Sequence, residues 1–166
     1  MTLLGLFVCV FTFVACGDDD DDETVTNPIV GTWVYEETFE EGDGQFYTKH
    51  TDKYTFDNGG KFVAEFEMKE GRGNEVWGHL ERMEGTYIFS ATDNVLKLTV
   101  TAMSVKSYDS EQWENEPMDK PYTENYKVVF NGNKATFYWM NDEGKVSEDG
   151  MEFTKKNYPE EWHLYN

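Results

Sequence analysis

The chain has 166 residues, a formal net charge of −19 and an aromatic content of 16%. So much negative charge repels phosphate backbones and anionic head groups, which argues against nucleic acid as a partner and against electrostatic membrane binding. Cys9 and Cys16 both lie in the first sixteen residues, so the chain beyond them has no disulfide and no thiol nucleophile. A domain there rests on its apolar core, for which a length of about 150 residues suffices.

Leu3 to Ala15 form an uncharged, mostly large apolar run. Spanning a bilayer as a helix takes about 20 residues, so this shorter run reads as the core of a secretory signal. Val14-Ala15-Cys16 resembles the lipobox of bacterial lipoproteins, although Phe13 stands where Leu is usual and Met1-Thr2 carries no Lys or Arg. The resemblance implies cleavage before Cys16 and lipidation of its sulfur, with acyl chains as the membrane anchor. Residues 1–15 are then the signal peptide and 16–28 a tether.

The tether carries Asp18, Asp19, Asp20, Asp21 and Asp22 followed by Glu23. Six adjacent negatives cannot collapse, so the run should be extended and hydrated. Taking these six from −19 leaves −13 for the rest of the chain. The run resembles the acidic signal by which some Gram-negative bacteria move lipoproteins to the exterior of the outer membrane. Consecutive aspartates lack the spaced ligands and glycine turn of a calcium loop.

Past Pro28 the pattern is that of a β-protein. Ile29 to Tyr35, extending to about Phe39, reads as a first strand and Gln45 to Asp57 as a second, turning at Asn58-Gly59-Gly60. In the third, Phe62, Ala64, Phe66 and Met68 alternate with Lys61, Glu65, Glu67 and Lys69, so one face is buried and one is wet. Gly71 to Asn74 reads as a loop, followed by separate strands at Glu75–Met83 and Gly85–Phe89 and an alternating strand at Val95–Met103. Ser107 to Pro121 has neither period and reads as a long loop. Tyr126–Phe130 and Ala135–Met140 form a hairpin about Asn131-Gly132-Asn133, and Met151–Lys155 a last strand. Pro159-Glu160-Glu161-Trp162 suits a short helical turn.

About eight antiparallel strands joined by short turns fit an all-β, eight-stranded up-and-down barrel over residues 29–166, with a β-sandwich as the alternative. Gly31-Thr32-Trp33 resembles the Gly-x-Trp signature of the lipocalin and calycin superfamily. With the acidic tether, the Phe56 to Gly60 hairpin and Gly85-Thr86-Tyr87, the chain is similar to bacterial lipocalin-like lipoproteins, mostly of unknown function. That resemblance implies a barrel closed by Trp33, with a basic residue, Lys155 or Lys156, over the tryptophan.

Chemistry is thinly represented. His50, His79 and His163 lack metal-ligand spacing, and no nucleophile elbow or phosphate loop occurs, so neither an enzyme nor a cofactor is expected. The expected function is binding. Inward candidates to line a site are Trp33, Tyr35, Tyr54, Phe66, Tyr87, Tyr126, Phe137 and Trp139, with Phe56, Phe62, Met68, Leu98, Val100 and Val128 beside them. An eight-stranded barrel either fills with side chains or holds one small ligand, here apolar or amphipathic. The alternative is a surface module gripping a glycan or protein through loop aromatics Trp77, Tyr108, Trp113 and Tyr122. The chain is read as a monomer.

Overall fold

The computed structural model describes residues 27–42 and 45–157. Cys16, Asp18 to Asp22 and the turn expected at 159–162 lie outside them. The described residues form Gly31–Glu41 (β1), Phe46–Phe56 (β2), Lys61–Arg72 (β3), Glu75–Ser90 (β4), Val95–Ser107 (β5), Glu114–Glu116 (β6), Tyr122–Asn131 (β7), Lys134–Met140 (β8) and Val146–Lys156 (β9). Every pairing is antiparallel between chain neighbours, β6 apart, and β9 returns to β1. Eight strands thus close an up-and-down barrel, not a sandwich. The three-residue β6 lies along the far half of β5, inside the stretch expected to be loop.

The two strands expected on either side of Glu84 are one. Gly85 carries the chain through a bulge where the partner of β4 shifts from Ala102 to Val100. A Cβ there would sit 1.9 Å from the Thr99 carbonyl oxygen, so only glycine lets the two backbones approach this closely.

One end of the barrel is sealed. The Trp33 indole N–H donates to the Ile29 carbonyl at 2.7 Å, and the Lys155 ammonium lies 5.1 Å from the centre of its ring. Burial lowers the Lys155 pKa, as expected for an ammonium partly withdrawn from water over an aromatic face. Gly31 makes room for this pairing. Its φ is +120°, and a Cβ would stand 2.8 Å from Lys155 Cε. The basic residue over Trp33, which the resemblance implies, is therefore Lys155. The adjoining hairpin is tied down by Asp57, whose side chain accepts the Lys61 N–H at 2.7 Å and whose carbonyl accepts the Tyr87 hydroxyl at 2.6 Å.

Above this seal the interior is filled. Phe137 sits 4.7 Å from Phe153, 6.0 Å from Tyr54, 6.1 Å from Tyr126 and 6.5 Å from Trp33, ring centre to ring centre. Tilted pairs of this kind contribute about 0.5–1.5 kcal/mol each beyond the area they bury. Ile29, Leu96, Leu98, Val100, Val128 and Phe153 complete a core with no solvent exposure.

The walls are unequal. β4 and β5 have 16 and 13 residues, whereas β8 has 7. β9 pairs with β1 only from Thr32 to Val34, and β7 reaches β5 only over Val95–Val100. β8 is thus the one short strand among the eight, and the ladders on either side of β7 to β9 join their neighbours over only part of their length.

Candidate functional site at the barrel mouth

Antiparallel registry stacks the inward side chains of β1 to β5 in rows. From the floor upward, one row reads Trp33, Tyr54, Ala64, Met83 and Met103 across β1 to β5. The next reads Tyr35, Asp52, Phe66, Glu81 and Val105, and the one above it Glu37, His50, Met68, His79 and Ser107. Directly paired residues share a face of the sheet, so each row is one layer of the inner wall. The chemistry changes within one layer, from wholly apolar to aromatic and acidic.

Tyrosine hydroxyls organise the carboxylates. On β1 the Tyr35 hydroxyl donates to Glu37 at 2.5 Å, and on β7 the Tyr126 hydroxyl donates to Glu124 at 2.9 Å. Each pair is two residues apart on one strand and so shares a face. The Tyr35 pKa is raised, chiefly by its hydrogen bond to Glu37, and that of Tyr126 well above the tyrosine range, chiefly by burial and then by Glu124. Both phenols stay protonated donors at neutral pH. Burial likewise raises Tyr54, beside Tyr126, and Tyr122, whose hydroxyl meets the Met83 sulfur at 3.0 Å. Asp52 is half-buried, and desolvation raises its carboxyl above the ordinary aspartate range.

The expected site residues separate into three groups. Trp33, Tyr54, Tyr87 and Phe137 are between 1% and 8% exposed and pack in the core, so they close the lower barrel and do not line open space. Tyr35 and Phe66 are half-buried at the base of the mouth, and Tyr126 lies beneath it. Trp139 corrects the sequence reading. Its strand register pairs it with buried Tyr126, yet it is 53% exposed, because the β8–β9 register shifts between Tyr138 and Met140 and breaks the alternation at Trp139.

Trp77 and Tyr122, read as loop aromatics, belong to β4 and β7. Trp77 donates its indole N–H to Glu70 at 2.5 Å and tilts against Phe46, 6.0 Å away. Tyr108 follows β5, hydrogen bonds Glu67, and with Val76, Trp77, Gly78 and Asp109 borders a recess of about 300 Å³. Trp113 is in the loop as expected. Asp52, Glu37, Glu81 and Glu124 were absent from the expected site, although each stands two residues from a chosen or core aromatic or from Met83.

Among the described residues no group of three or more His, Cys, Asp or Glu side chains is arranged to hold a metal ion. No protein-family model matches the chain, and no curated protein matches its sequence.

Proposed function

We propose that this chain is a lipocalin-like lipoprotein, anchored through acyl chains on Cys16 and carried to the cell exterior by Asp18 to Asp22, that binds a small amphipathic molecule at the barrel mouth. The observation that supports binding there is the division of the interior. The lower half is buried, with side chains no more than 8% exposed, whereas Tyr35, Phe66 and Met68 remain half-buried above it. Aromatic surface beside a few fixed polar groups is the usual lining of a small-molecule site. Ligand contact is placed at the mouth, not in the core.

Native mass spectrometry of protein purified without detergent tests for a co-purifying small molecule. Tryptophan fluorescence titrated with fatty acids, sterols and glycans should respond through exposed Trp139. Met68→Arg, which puts bulk and charge into the mouth without touching the floor, should abolish the response, and Trp113→Phe should leave it intact. A response that survives Met68→Arg and disappears with Trp113→Phe replaces mouth binding with recognition by the outer loops.

A further inference from the structure

We infer that the molecule held at the mouth is an organic cation, an ammonium group on an apolar body, an inference that rests on the mouth-binding reading above.

The barrel wall sorts its charges. Lys49 pairs with Glu36 at 2.7 Å, Arg82 with Glu84 at 2.8 Å, Lys134 with Glu152 at 2.5 Å, and Lys53 with Glu65. By the two-residue alternation all eight are outward, so these acids are already matched by bases on the outer wall. The inner wall is different. Its carboxylates Glu37, Asp52, Glu81 and Glu124 share their face with tyrosine, phenylalanine and methionine. Glu81 meets His79 at 3.3 Å, a partner that is charged only when protonated. Arg72 is exposed two rows above the histidines, and Lys155 lies in the floor on Trp33.

Aromatic faces and carboxylates attract the same guest. The ring quadrupole draws a cation to its face, and a carboxylate draws it by charge, while neither favours an anion. Phe66 lies between Asp52 and Glu81 in one row, and Tyr35 holds Glu37 just above Asp52. An ammonium here gains both interactions, and its apolar body lies on Phe66, Met68 and Val105. A fatty acid would bring its carboxylate against like charge.

The test compares dodecyltrimethylammonium, dodecyl maltoside and dodecyl sulfate, each below its micelle concentration, by calorimetry and Trp139 fluorescence. Asp52→Asn and Glu81→Gln alter the mouth. Glu65→Gln and Glu152→Gln remove the same charge from the outer wall and control for attraction to a strongly acidic protein. The cation should bind at least about tenfold more tightly than the neutral probe, and each mouth substitution should weaken it about tenfold while the outer pair changes it by less than about twofold. Equal or tighter binding of the neutral or anionic probe, still blocked by Met68→Arg, overturns cation selectivity and leaves mouth binding standing. Equal weakening by inner and outer substitutions overturns the inference as diffuse charge attraction. Absence of binding by all three probes overturns both readings.

Discussion

At the scale of single residues, the chain keeps groups that work against its own stability at the mouth. Asp52 is the clearest. Tyr35 and Phe66 are its row partners, Tyr54 and His50 its neighbours on the strand face, and burial holds its carboxyl above the ordinary aspartate range. A raised folded value means that the native state holds this proton more tightly than the unfolded chain. Its contribution to stability is complete below the unfolded aspartate range and is lost as pH rises through the folded value. Asp52→Asn should therefore raise the urea midpoint at neutral pH and change it little near pH 3, where aspartate is mostly protonated anyway. A gain that is equal at both pH values would refute the desolvation argument. At the sealed end the expected sign is opposite. Lys155→Ala should cost about 1 kcal/mol through the lost cation–ring contact, and Phe137→Ala about 3–5 kcal/mol through the cavity left among four aromatic rings. Gly31→Ala combined with Lys155→Ala should destabilise by less than the sum, because the second change removes the side chain that the new Cβ meets at 2.8 Å. Urea denaturation of the three variants checks the coupling.

Among the elements, the period-two pattern was the legible part. Phe62, Ala64, Phe66 and Met68 do share the inner face, and the turns at Asn58-Gly59-Gly60 and Asn131-Gly132-Asn133 do set the hairpins. Alternation gives the side of the sheet on which a residue stands. It does not foresee a break in the register, which depends on how the neighbouring strand pairs. Trp33 and Trp139 have the same inward parity, yet one is 1% and the other 53% exposed, and the register shift between Tyr138 and Met140 is what separates them. The inward carboxylates were missed because a polar residue at an inward position breaks the pattern that marks the position. Asp52 and Glu81 became visible only through the registry that sets them on either side of Phe66. Gly85 was read as a break between strands because a bulge and a turn draw on the same residue type. The elements also make a dynamic prediction. With β1 and β9 paired only from Thr32 to Val34, amides of β1 beyond Val34 that point toward β9 lack ladder partners. Hydrogen exchange should find them far faster than the β1 amides bonded to β2; uniform protection along β1 would show that the seam is closed in solution.

For the molecule as a whole, the fold adds a direction to the proposed anchor. Replacing Asp18 to Asp22 with alanine should leave lipidation of Cys16 intact by mass spectrometry but remove the domain from the reach of protease added to whole cells. Unchanged shaving would reduce the run to a spacer. β1 enters the barrel at the sealed end, where Gly31 and Trp33 lie, and runs upward to Glu41 beside the mouth. β9 also finishes at the sealed end, with Lys155 on Trp33. The proposed anchor at Cys16 would therefore join the domain at the bottom of the cup, and the thirteen residues from Cys16 to Pro28 could reach at most about 45 Å if fully extended. A cup held by its base presents its rim to the medium. With the proposed anchor and the proposed guest, acyl chains in the bilayer and guests in the surrounding fluid would occupy opposite poles of the domain, so loading and unloading would require neither release from the membrane nor passage through it.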